Sequence, residues 1–270
     1  MTTGYNPEYH GKYWMYRRKR VVGRFADAEE WQSNRYFHID VLRGIAIVMM
    51  VVFHFVFDLD HFQYIDVDFD RDPFWVNFRT LIVTIFLCLV GISLQLATGR
   101  LLNFRRYFRR LVQLVGAAAI VSFVSYSIFP DRPILFGVLH FIALASVLGL
   151  LFRRFYWMNL LLGVAVILLG IQFQSGLFDS AFWYWAGLMR ERPITSDYVP
   201  LFPWFGVVLI GMYLARVIEK YELLSKTTQR KNGFSRLLAL GGRHSLLIYL
   251  LHQPLFFGGF YLVLFVFSSG

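Results

Sequence analysis

One apolar stretch, His38 to His61 (HIDVLRGIAIVMMVVFHFVFDLDH), carries Asp40, Arg43, His54 and Asp58. Arginine suits a bidentate grip on phosphates. Histidine titrates near neutrality and suits proton transfer. An aspartate one turn beyond a histidine can orient its imidazole or raise its basicity. On a helix each residue turns by about 100°. Arg43 and His54 are eleven residues apart, close to three whole turns, so they share a face about 16 Å apart along the axis. Asp40 and Asp58 fall within about 60° of the same line. The result is a polar stripe on a greasy rod. An ionisable group at membrane depth costs several kcal/mol unless it meets a partner or a water-filled cavity. The plainer reading is a set of packing salt bridges between helices; the functional reading is chemistry.

Other apolar stretches carry matching groups. His140 sits in LFGVLHFIAL, and Ser245, Tyr249 and His252 repeat at four and three residues in GGRHSLLIYLLHQP. That spacing makes a second polar stripe. Asp197, Tyr198 and Trp204 open the stretch DYVPLFPWFGVVLIG, where Pro200 and Pro203 remove backbone donors and should bend or delay the start of a helix. Two poles emerge. One is basic, with Arg43, Arg243 and the Arg105–Arg110 group that includes Arg106; the other joins His54, Asp58, His140 and His252. Such an arrangement fits an anionic donor on one side whose reactive end is threaded toward an acceptor on the other. His140 and His252 serve equally well as helix-to-helix hydrogen bonds. His61 and His244, near the ends of their stretches, read as interfacial.

The elements that must position these residues are membrane spans. The chain has 270 residues, 57% hydrophobic, 19% aromatic and 16% charged, with a mean hydropathy of +0.51. These values define an all-α, polytopic transmembrane helix bundle. Length and hydropathy predict about seven spans, at 38–58, 78–98, 108–129, 134–152, 156–174, 199–217 and 244–267. The fragment AFWYWAGLM (181–189) is too short to cross and reads as an interfacial or re-entrant piece. Residues 1–36 form a basic N-terminal segment without a visible signal peptide, and 37–270 the membrane domain.

Loop charge sets the orientation. The N-terminal segment and the sixth-to-seventh link (Arg216 to Arg243) hold seven Lys/Arg each, and Arg100, Arg105, Arg106, Arg109, Arg110, Arg153 and Arg154 fall on the same side. The other side is acidic, with Asp60, Asp66, Asp68, Asp70, Asp72, Asp131, Asp179, Glu191 and Asp197. The bias places the N-terminus in the cytoplasm and the C-terminus outside. The net charge of +10 therefore reflects insertion and headgroup contact, not nucleic acid. The run DVDFDRD (66–72) lacks the glycine and final glutamate of an EF-hand loop, so no metal is expected. The single cysteine, Cys88, rules out an internal disulfide framework.

Taken together, RYFHIDVLRGIAIVMMVVFHFVFDLDHF, FLCLVGISLQLA, LFGVLHFIALASVLGLL, DYVPLFPWFGVVLIGMYLAR and LGGRHSLLIYLLHQPL resemble the bacterial branch of the heparan-alpha-glucosaminide N-acetyltransferase catalytic-domain family. The likeness runs from about Tyr36 to Tyr261. The spacing of Arg43 and His54 is also similar to a pair in the wider transmembrane acyltransferase superfamily. The resemblance implies acetyl transfer from cytoplasmic acetyl-CoA to an amine or hydroxyl, on a glycan acceptor, beyond a bacterial-type inner membrane. His54 would be the working histidine, oriented by Asp58, and Arg43 and Arg243 would hold CoA phosphates with Arg105 and Arg106 nearby. His140, Tyr249 and His252 would line the passage or steady an oxyanion. Lysosomal members place their active histidine further along, and FHFVFDLDHF takes that place here, so His54 and His61 both stand as candidates. A proton-coupled transporter or flippase of a small solute or lipid-linked sugar is the alternative, and a structural subunit the third reading. Transporters often show matching halves, which this sequence lacks. Homo-oligomerisation stays open, since lipid-facing and partner-facing surfaces look alike in sequence.

Overall fold

A computed structural model describes residues 37–98, 102–195, 197–223 and 232–268. The N-terminal basic segment, Arg100 and residues 224–231 of the basic link lie outside the described residues. The described residues form eight α-helices and no strand. In chain order they are α1 Phe37–His61, α2 Pro73–Thr98, α3 Phe104–Ile128, α4 Val138–Phe152, α5 Trp157–Gln172, α6 Leu201–Lys220, α7 Gly233–Arg243 and α8 Ser245–Ser268.

Five of them (α1, α2, α3, α6 and α8) are long and apolar enough to cross a membrane. The other two expected spans are present as apolar helices but shorter, α4 with 15 residues and α5 with 16. At 1.5 Å per residue they reach only about 22–24 Å, against about 30 Å of hydrocarbon. Helix α7 lies inside what the sequence presents as a link. Its 11 residues follow Asn232, whose side chain accepts from the Ser235 N–H, a local cap that ends the connection early.

Helix α6 is central, packed along α2 and α5, while α4 rests on α3, α6 and α2. Contact between α2 and α6 is made by main chain. A Cβ on Gly91 would strike the Val208 carbonyl, and one on Gly211 would strike the Cys88 carbonyl. Only glycine permits that approach. Around the crossing, Leu87, Phe141, Val208, Leu209 and Met212 are fully buried.

The helix ends at the basic pole are tied by side chains. Arg153 donates to the Thr98 carbonyl at 3.4 Å and Arg216 to the Arg153 carbonyl at 2.9 Å. The Asn159 amide donates to the Phe152 and Phe155 carbonyls, closing the α4–α5 turn. Cationic donors suit these carbonyl ends.

At the opposite pole the aromatic piece folds back, as its length requires. Ala181–Trp183 is a single 3-10 turn, and the Trp185 and Ala186 carbonyls accept from the Leu201 and Phe202 N–H groups. The two prolines act as expected. Phe202, before Pro203, takes extended angles (φ −97°, ψ 129°) inside α6, since a residue before proline is pushed out of the helical region. The flanks of α3 and α8 leave large apolar side chains uncovered, Phe123 at 74% and Leu262 at 63%. That is the surface lipid would cover. The chain is an integral membrane protein.

Candidate active site

The basic pole is built by a second glycine contact. A Cβ on Gly44 of α1 would strike the Leu238 carbonyl, and one on Gly242 of α7 would strike the Asp40 carbonyl. This approach lets α1 and α7 share one carboxylate. Asp40 accepts from Arg43 at 2.9 Å on Oδ1 and from Arg243 at 3.1 Å on Oδ2. Arg43 also donates to Ser93 Oγ of α2 at 2.8 Å and to the Gly242 carbonyl at 3.4 Å. The Arg43 guanidinium is thus committed to α1, α2 and α7. Arg243 is different, with its side chain 59% exposed and a single bond from Nε. Arg110 of α3 lies close enough to Arg43 for their charges to repel. Arg105 and Arg106 are exposed at the start of α3 and make no ion pair among the described residues.

A differential result follows. Arg43→Ala should cost about 1–3 kcal/mol of stability, because Ser93, the Gly242 carbonyl and part of Asp40 lose their donor. Arg243→Ala should leave the thermal midpoint unchanged. Thermal unfolding of both variants checks this.

The second pole lies between α1 and α8. His54 and His252 face each other, ring centroids 4.8 Å apart at 76°. His54 Nδ1 is 2.9 Å from the Met50 carbonyl, and His252 Nδ1 is 2.7 Å from the Tyr249 carbonyl. A carbonyl only accepts, so both Nδ1 atoms donate and both neutral rings keep their lone pair on Nε2. His252 Nε2 is buried without a partner, and no hydrogen bond to His54 Nε2 occurs among the described residues. Two unengaged imidazole bases therefore stand side by side.

Asp58 does not orient His54. The main-chain carbonyl of Met50 has that place, and Asp58 accepts from the Gln253 amide at 3.3 Å instead. The reason is helical geometry, since an i−4 carbonyl lies under the ring while an i+4 carboxylate lies over the next turn.

His140 is engaged on both nitrogens. Its Nδ1 accepts from the Gly137 N–H at 3.3 Å, and Nε2 donates to Ser122 Oγ at 3.2 Å. Ser122 in turn donates to the Ile134 carbonyl at 2.6 Å. The His140 side chain thus reaches back to satisfy the N-cap N–H at the start of α4, one half of a capping box, since Gly137 has no side chain to return the bond. Asp197 completes the cap, accepting from the Val138 N–H at 2.9 Å and from the Tyr249 hydroxyl at 3.2 Å. Burial raises its carboxyl above the ordinary range, while the Val138 and Tyr249 donors pull it back. Tyr198 donates to the Tyr184 carbonyl at 2.9 Å, and burial pushes its phenol up to about 12. It borders a cavity of about 300 Å³ with Phe136, Tyr184 and Ile194; neither His54 nor His252 lines it. Trp204 packs against the core around α6. His61 ends α1 among the rings of Phe62, Phe129 and Phe257 and makes no hydrogen bond among the described residues.

Three partners escaped the sequence reading: Ser93, Gln253 and the Met50 carbonyl. Gln253 had a signal, since it follows His252 directly and lies one turn after Tyr249. Ser93 and a main-chain carbonyl had none.

Fold and site together define an integral membrane helix bundle with a basic pole where α1 meets α7 and an imidazole pair between α1 and α8. The family model described as heparan-alpha-glucosaminide N-acetyltransferase, catalytic, matches residues 35–254, and the chain belongs to that family. This sets it among acetyltransferase-like membrane proteins. Neither the curated proteins nor the solved structures compared with the chain include a match.

Proposed function

We propose that the chain moves an acetyl group from acetyl-CoA, held at the basic pole, to an amine or hydroxyl of a glycan reached from the opposite side. The basic pole is cytoplasmic in this reading, the seven apolar helices all serve as spans, the C-terminus lies outside, and the membrane is a bacterial-type inner membrane. The alternation of loop charge supports that orientation. The observation that carries the reading is the imidazole pair with both Nε2 atoms unengaged, inside the stretch that matches the family.

Arg243, with Arg105 and Arg106, supplies the exposed cations that phosphates need. Arg43 keeps the helices that carry them together. His54 Nε2 takes the proton of the acceptor N–H or O–H as that atom attacks the thioester carbon. The CoA thiolate leaves with the C–S electron pair. His252 stands beside His54, where a donor or a second base would be used, and Asp197 and Tyr249 hold α4, α6 and α8 in register around it.

Purified protein incubated with radiolabelled acetyl-CoA and cell-envelope sugars should place label on a sugar. Label absent from sugar and protein alike, together with counter-ion-driven solute uptake into liposomes, would favour the transporter instead.

A further inference from the structure

One turn along α1 from the imidazole pair sits a group the scheme above does not use. Asp58 is fully buried, at 0% exposure. Its one hydrogen bond among the described residues comes from Gln253, with Nε2 3.3 Å from Oδ1. Asp58 Oδ2 and Gln253 Oε1 are both buried with no partner among the described residues. No arginine or lysine pairs with Asp58 among the described residues. On α1 and α8 the titratable groups within about one turn of Asp58 and its partner Gln253 are His54, Asp60, His61, Tyr249 and His252. Asp60 turns away to accept from the Val67 N–H at 2.8 Å, and His61 points among phenylalanines.

A charged carboxylate in that position would be a buried ion with no counter-charge among the described residues, which a low-dielectric interior strongly disfavours. The orphaned atoms show how the cost is avoided. A carboxyl and a primary amide already joined by one N–H···O bond can close a ring if the second carboxyl oxygen carries a hydrogen. Asp58 Oδ2–H would then donate to Gln253 Oε1, and two of the unpartnered atoms would satisfy each other. Exchanging the amide O and N leaves the same count, because the acid can carry its proton on either oxygen.

We propose that Asp58 is a neutral carboxylic acid in the folded protein, paired with the Gln253 amide, and that this pair passes protons for the His54–His252 pair. The second half rests on the acetyltransferase reading. Transfer to an N–H or O–H leaves one proton on His54 Nε2, which must be cleared before the next turnover. Asp58 gives its proton to a water molecule beyond the His61 end of α1, and the carboxylate so formed takes the Nε2 proton of the His54 imidazolium. Net, one proton passes from His54 to water, and both groups return to their starting forms. Asp58 is a positioning and relay group in this scheme, because it touches neither acceptor nor thioester.

Infrared difference spectra of the full-length protein against Asp58→Asn, at neutral pH, test the first half. We expect a protonated-carboxyl C=O band lost in Asp58→Asn and shifted to higher frequency in Gln253→Leu. A hydrophobic carbodiimide, which attacks protonated buried carboxyls, should label Asp58 in the wild-type chain when the site is mapped by mass spectrometry. This second measurement needs no variant to fold. Absence of both band and label would overturn the neutral acid. For the relay, Asp58→Asn should slow turnover by about tenfold or more and change its pH profile, with CoA affinity unchanged; wild-type turnover overturns the relay. Band and label in a preparation that acetylates nothing would sustain the acid and overturn the acetyltransferase reading.

Discussion

If the chain acts as the acetyltransferase proposed above, His54→Ala should lower turnover by about 10²–10⁴-fold, the range that a positioned general base contributes, or about 3–5 kcal/mol of barrier. The fold should survive. The only hydrogen bond His54 makes among the described residues is to the carbonyl of its own helix, and the ring is half-buried, not a core filler. Loss of activity should therefore come with an unchanged thermal midpoint and unchanged CoA affinity. His61→Ala is the matching control. That ring packs on phenylalanines with no polar partner among the described residues, so its removal should leave turnover near wild type. The reverse outcome, an active His54→Ala with an inactive His61→Ala, would move the base seven residues along α1.

Gly242→Leu should be the most damaging single change to the fold. The new side chain would be driven into the Asp40 carbonyl, with the Gly44 main-chain nitrogen 3.0 Å from its Cβ. Main chain cannot swing aside as a side-chain tip can. Overpacking in a tight core costs about 1–3 kcal/mol and sometimes more. Here it would also release the Arg43 bond to the Gly242 carbonyl. We expect little folded protein in detergent and a steep drop in the unfolding midpoint of what remains. A midpoint within a degree or two of wild type would show that α1 and α7 do not meet as closely as Gly44 and Gly242 indicate.

The helical architecture was legible because apolar length and charge alternation act on whole segments. Each long apolar helix lies where hydropathy puts it. The shortness of α4 and α5 was not legible: hydropathy registers apolar content, but cannot tell a helix from the non-helical residues 134–137 that lead into one. Helix α7 was hidden for the opposite reason, as its polar face resembles a connection. Within the site, spacing brought His54 toward Asp58 along α1 and left His252 on a separate stripe. The fold pairs His54 with His252 and Asp58 with Gln253, because α1 and α8 lie side by side. Pairing across helices is a tertiary fact that one-helix periodicity cannot supply. The same limit explains His140, whose neighbours Gly137 and Ser122 make it a cap.

The glycine crossing of α2 and α6 bears on how the molecule can move. Where carbonyl meets Cα with no side chain between, the two rods can neither slide nor roll without collision, and they behave as a single stiff plate with α4 and α5 attached. The contact between α1 and α8 is of another kind, made by rings and long side chains such as Phe55 against Phe256 that can change rotamer. Any breathing that admits a substrate to the imidazoles therefore belongs to the α1–α8 flank, with the plate as its fixed frame.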